Sequence, residues 1–202
     1  MGFGYSSSQV LLIHRNPMPS HATKHYTHTA IALHWLIALC LGSTALLGLY
    51  MSDLPFSPAK LQYFSWHKWA GVSIFLLVVL RLIWRLIKGV PAAPAHLPLW
   101  QQSAAEWTHR LLYVLMFAIP LSGWLMSSAK GVPTVYFGLL PLPDLLERNV
   151  ELGKQLASLH GALNLGMLGL VLLHAAAAIK HHLIDRDEVL ARMLPVLKKQ
   201  SR

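Results

Sequence analysis

The sequence predicts an all-α protein, an integral membrane four-helix bundle with both termini on the cytoplasmic side. Three observations carry that expectation. Of 202 residues, 54% are apolar and only 12% are charged, whereas an ordinary soluble domain carries about 25% charged residues. Four apolar runs stand out, each of roughly the 20 residues needed to cross a bilayer. Four spans put both termini on one side. Twelve of the 17 Lys and Arg residues fall on that side, and five (Lys60, Lys68, Lys130, Arg148 and Lys154) fall on the other. The positive-inside rule then places the termini in the cytoplasm. The net charge of +9 reads as an orientation signal rather than as a nucleic-acid surface.

Residues 1–28 form a polar tail. Its one apolar patch, Val10 to Ile13, is too short for a signal-peptide core, so the first span serves as an uncleaved targeting signal; Met18 offers an alternative start. The spans occupy 29–180, and 181–202 is a basic cytoplasmic segment. The first span is read as Thr29 to Met51, followed by a loop, Ser52 to Gln62, containing Pro55 and Pro58. The second runs from Tyr63 to Ile87 and ends in the Pro-rich GVPAAPAHLP. The third is read as Trp107 to Ser127, kinked by Pro120. A loop from Ser128 to Lys154 leads to the fourth, Gln155 to Lys180. The following DRDEVLARMLPVLKK reads as a short amphipathic surface helix or a solvated basic end. Trp66, Trp69, Trp100, Trp107 and Trp124 fall near helix ends, as in an interfacial aromatic belt.

The lone Cys40 excludes an intrachain disulfide, and there is no CxxC or CxxCH motif. Histidine within a span is rare and usually functional. On the fourth span His160 and His174 are fourteen residues apart. They therefore share a face to within about 40° and are separated by roughly 21 Å. His34 enters from the cytoplasmic end of the first span, at the depth of His174. His67 enters from the periplasmic end of the second, at the depth of His160. Two depth-matched pairs are what two stacked haems, each with two axial histidines, require in a helical bundle. A zinc site would want three or four converging ligands, commonly with carboxylate or thiolate, and the spans hold no carboxylate near these histidines.

Arg81 follows His67 by the same fourteen residues, so it reaches the depth of His34 and His174. There it either meets a haem propionate or snorkels to the headgroups. Lys68 and Lys130 lie toward the periplasmic mouth, with Lys130 also readable as a solvated loop residue. Gly71, Gly161 and Ala175 to Ala178 either make room for a macrocycle or pack helices closely. His109 reads as surface-exposed, with His109, Tyr113 and Trp107 as alternative quinone-lining residues. His181 and His182 read as headgroup residues. His14, His21, His25, His28 and His96 lie in polar segments.

These pieces are ALHWLIAL around His34, WHKWAGVSIFLLVVLRLIWRL around His67 and Arg81, RLLYVLMFAIPLSGWLMSS, KGVPTVYFG, LHGALN around His160 and LLHAAAAIKHHLIDRDEVLARM around His174. In that order, over about Tyr26 to Pro195, the chain resembles the bacterial cytochrome b561 family of di-haem membrane cytochromes. The resemblance implies two haem b groups, with iron ligands at His34 and His174 on the cytoplasmic side and at His67 and His160 on the periplasmic side. It also implies electron transfer with ubiquinone or another quinone as partner. At least one member of the family is described as passing electrons from periplasmic superoxide to ubiquinone, which would make Lys68 and Lys130 steering residues. Related four-helix b cytochromes instead serve as subunits of dehydrogenases or hydrogenases. A quinone-linked oxidoreductase with a periplasmic donor, a docked electron-transfer subunit, and a non-haem histidine-based transporter are the three functions open at this point.

Overall fold

The computed structural model describes residues 25–94 and 97–197. The tail before His25, with His14, His21 and Met18, lies outside the described residues, as do His96 and the last five positions. Four long helices account for most of the rest: α1 His28–Asp53, α2 Pro58–Lys88, α3 Leu99–Ala129 and α4 Val150–Lys180. All four are long and apolar enough to cross a membrane. The protein is an all-α four-helix membrane bundle with one small β-hairpin.

Local chemistry sets the helix ends. Thr27 Oγ1 accepts the Ala30 N–H and Ser57 Oγ accepts the Lys60 N–H, each at 3.2 Å. Pro58 follows at the first position of α2, where its missing N–H costs nothing. Asn149 Oδ1 caps α4 through the Leu152 N–H. At the other end of α2, Gly89 adopts a φ of 70° and returns its N–H to the Arg85 carbonyl, a terminator suited to glycine. Helix α3 begins eight residues before Trp107. Its first turns, with Gln101, Gln102 and Glu106, are polar and project beyond the apolar span, so hydropathy detects only the later part. Gln102 Nε2 bonds the Leu97 carbonyl and Glu106 pairs with Arg110 at 2.8 Å, which together stabilise that extension.

Helices α1 and α2 pack as one pair and α3 and α4 as another, with a lighter seam between α2 and α3. The buried core is a small plug of Ile37, Ile74, Val78, Met116 and Met167, drawn from all four helices. Met167 lies seven residues from both His160 and His174, so the plug sits at mid-depth. Most other large apolar side chains are exposed, as expected where the solvent is lipid.

Two segments depart from the sequence reading. The loop after α3 contains a two-stranded antiparallel hairpin, β1 Val135–Tyr136 and β2 Leu140–Pro141. The segment after α4 is not an amphipathic α-helix. Helix α4 passes into one wide π turn, His181–Asp185, and then Arg186 turns left-handed at a φ of 54°. Short 3₁₀ turns follow at Leu190–Arg192 and Pro195–Leu197. Side-chain anchoring explains the interruption. His181 Nδ1 and the Val189 N–H both bond the Asp187 carboxylate, and Pro195 cannot donate to a continuing helix. The segment is strapped across the bundle end, with Trp35 Nε1 donating to the Met193 carbonyl and Arg192 Nη1 to the Ala92 carbonyl, both at 2.7 Å.

Candidate functional site

The four span histidines face one another in two pairs. His34 of α1 and His174 of α4 have ring centroids 6.3 Å apart, and His67 of α2 and His160 of α4 also stand 6.3 Å apart. Each pair therefore bridges the cleft between the two helix pairs. A continuous cavity of about 1800 Å³ runs past all four rings, well beyond the roughly 300–1,000 Å³ of a pocket for one small ligand. Its lining includes Tyr136 of the hairpin and Met193 of the C-terminal strap.

At the His67–His160 end, hydrogen bonds and glycines position the rings. His160 Nδ1 lies 3.1 Å from the Ile119 carbonyl and 2.9 Å from Ser122 Oγ, and Ser122 Oγ itself donates to the Ile119 carbonyl. A ring whose Nδ1–H is given to a carbonyl keeps its Nε2 lone pair for a metal. His67 Nδ1 is buried and turned toward α1, where it faces the backbone at Thr44 and Gly48. A Cβ added at Gly48 would stand 3.1 Å from His67 Cε1, and one at Gly123 would stand 3.2 Å from His160 Cε1. Both glycines were missed in the sequence. Gly48 follows His34 by fourteen residues, and Gly123 follows His109 by fourteen, so the interval that relates His160 to His174 points to them too. Gly71, by contrast, has open space where a Cβ would stand and lines the cavity; Gly161 also has open space.

The His34–His174 end is more polar. Arg81 is held inside the bundle, with Nη1 donating to the Ala30 carbonyl at 2.8 Å and Nε to the Tyr113 hydroxyl at 3.2 Å. It does not snorkel outward. Arg85 lies over the Tyr113 ring at 5.7 Å. His109 is not a surface residue: its ring packs edge-on against His174 with centroids 5.2 Å apart, and it lines the cavity. The polar start of α3 concealed this, because the helix begins earlier than hydropathy indicates and His109 therefore lies well inside it. His181 is also drawn inward. Its side chain is 15% exposed and hydrogen-bonded to Asp187 at 2.7 Å. Trp107 is 60% exposed and stacks under Arg110, away from the cavity lining.

The two lysines separate. Lys68 Nζ donates to the Val132 and Pro133 carbonyls, both at 3.1 Å, so it clamps the loop before the hairpin. Lys130 is exposed, lines the cavity mouth and has no side-chain acceptor among the described residues.

Four apolar helices with opposed histidines across an interior cleft have the arrangement of a membrane helix bundle that can hold a cofactor between facing helices. The family model described as prokaryotic cytochrome b561 matches residues 25–196, and the chain belongs to that family. Among curated relatives, it is similar to cytochrome b561 homolog 2 of Escherichia coli K12, 33% identical over 183 residues that cover 87% of this chain and 94% of the relative. It is similar to cytochrome b561 homolog 1 of the same organism, 29% identical over 175 residues, 84% of this chain and 97% of the relative. A probable superoxide oxidase, CybB, of Yersinia pestis is 29% identical over 178 residues, 85% of this chain and 97% of that protein. Family membership makes the chain a bacterial multi-pass membrane electron-transfer protein and implies haem b.

The residues present fit that group. With metal–nitrogen bonds of about 2.0 Å and an imidazole radius of about 1.1 Å, two rings on opposite sides of one metal have centroids roughly 6.2 Å apart. Both pairs match this spacing. The open space at Gly71 and the size of the cavity agree with a large flat ligand between the rings.

Proposed function

We propose that the chain holds two b haems, one between His34 and His174 and one between His67 and His160, and transfers single electrons from a periplasmic donor, superoxide, to a membrane quinone. The observation that carries this reading is the recurrence of one ring separation, 6.3 Å, at two depths of one cavity. When bound, each haem would supply a one-electron carrier, held by the two histidines of its pair.

The chain's own residues do the rest. Helix α4 contributes one ring to each pair and sets their separation at roughly 21 Å. The Ile119 carbonyl holds the His160 ring. With the termini cytoplasmic, the His67–His160 pair faces the periplasm, and the exposed ammonium of Lys130 attracts an anionic donor to that mouth. The Lys68 clamp and the hairpin close the wall beside it. Each superoxide gives up one electron and leaves as dioxygen, so two of them, with two protons, convert one quinone to quinol. At the opposite end Arg81, Arg85, Tyr113 and His109 offer the donors and positive charge that haem propionates and a quinone carbonyl accept. The relative's designation as a probable superoxide oxidase supports the choice of donor.

The test is stopped-flow mixing of the purified holoprotein with superoxide, with and without ubiquinone. The expected result is reduction of the haem band followed by quinol formation. In Lys130→Glu the first step should slow several-fold and lose most of its dependence on ionic strength. A haem band that superoxide leaves oxidised, in a protein that copurifies with a redox partner, would assign the chain to an electron-transfer subunit instead.

A further inference from the structure

The hairpin after α3 has features that electron transfer does not explain. From Gly131 to Pro143 the chain carries no charged residue. Phe137 and Gly138, at the turn, have φ values of 50° and 72°. Two consecutive positive φ angles are the requirement of a type I′ turn, which asparagine and glycine meet easily and a bulky aromatic residue does not. Even so, the Phe137 side chain is not buried in exchange: it is 56% exposed, Leu140 is 57% exposed and Leu139 is 87% exposed. A strained, uncharged, apolar tip facing outward is poorly suited to water.

The hairpin's depth indicates what it faces. It lies along α2, not above it. Trp69 Nε1 donates to the Val135 carbonyl, Ser73 Oγ bonds the Tyr136 hydroxyl, and the Trp69 and Phe137 rings are 5.3 Å apart. Arg85 and Lys88 in the last turn of α2 mark the opposite headgroup level. Counting back a hydrocarbon thickness of about 30 Å from Arg85, at 1.5 Å per residue, reaches about Ser65. Trp69 and Ser73 then lie roughly 6 and 12 Å inside the apolar layer. At that depth Lys68 would be costly unless paired, and it is paired with two loop carbonyls. Three of the hairpin's donors are paired within it, as contact with lipid favours: Gly138 N–H to Val135, Leu139 N–H to Tyr136 and Leu142 N–H to Thr134.

We propose that the hairpin tip is seated in the acyl boundary of the leaflet on its side of the bundle, with Phe137 and Leu139 as its lipid contacts. Its surface continues the lipid-facing surface of α2, where Leu76 and Leu80 are also exposed. The inner side of the hairpin, through Tyr136, Leu140 and Leu142, walls the cavity from the bilayer. The inference does not depend on what the histidines bind.

A nitroxide label tests it. Leu139→Cys in a Cys40→Ala background, reconstituted as the full chain in liposomes, should collide several-fold more often with oxygen, which concentrates in lipid, than with a water-soluble nickel chelate. Labels at Leu165, exposed in the middle of α4, and at Glu151, in its first turn, provide the lipid and water references. Phe137→Cys gives the same readout if the first variant fails to fold. Dominant quenching by the nickel chelate would overturn the proposal. So would protection from both agents, which would mean that protein covers the tip.

Discussion

The two ends of the cavity present the same ring separation to different surroundings. At the hairpin end, hydrogen bonds from Ser122 and Ile119 set the His160 ring, glycines press on both rings, and a clamped loop covers the site. At the end toward the chain termini, the His34–His174 pair has no comparable lock among the described residues. It is ringed instead by a third imidazole, two guanidiniums and a phenol, and closed by the C-terminal strap. One end is arranged to hold a ligand pair rigidly behind a fixed wall; the other keeps polar groups able to engage a bound molecule. The difference teaches that ligand spacing alone does not assign roles to the two ends.

Breaking the tight end should have the largest effect. Gly48→Val puts branched methyl groups where even a Cβ stands 3.1 Å from His67 Cε1. Pyridine haemochromogen analysis should show haem per chain fall from two to one, and redox titration should show the component of the other end retained. Equal loss at both ends would mean that the glycine shapes the whole bundle.

At the polar end, Arg81→Leu removes two charge-assisted hydrogen bonds, each on the order of 1.5–3 kcal/mol. It also removes a positive charge close to the His34–His174 pair. Redox titration should show one component shifted to lower potential and a lower melting temperature, with the other component unchanged. An unshifted titration would show that the guanidinium serves packing only.

The smallest effect is expected for Ser122→Ala. Because the Ile119 carbonyl still takes the His160 Nδ1–H, the loss should be about 0.5–1.5 kcal/mol. It should be seen as a modest shift of the hairpin-end component alone. A shift of both components would erase the distinction between the ends.

His160 with His174, and His67 with Arg81, are legible as pairs sharing a face because a helix repeats its face every fourteen residues to within about 40°, whereas His34 matches His174 by its depth in the first span. The same interval also relates Gly48 to His34 and Gly123 to His109. Glycine carries no chemistry of its own, however, so its meaning emerged only when a ring stood against it. His109 was misplaced because hydropathy marks where lipid begins and not where a helix begins. Lys68 reads with Lys130 as a steering cation because its partners are backbone carbonyls sixty-four and sixty-five residues away, which no local pattern reveals. The C-terminal segment had the periodicity of a helix, but Asp187 binds both the His181 ring and a nearby backbone N–H, and those local bonds displaced the helical ones.

The pairing of histidines across the cleft is the central claim, and haem stoichiometry in paired double variants tests it most directly. The native chain should bind two haems. His34→Ala with His174→Ala removes both rings of one pair and should leave one haem bound, as should His67→Ala with His160→Ala. His34→Ala with His160→Ala takes one ring from each pair and should leave none with native low-spin spectra. One intact low-spin haem in that crossed variant, or none in either same-pair variant, would contradict the pairing.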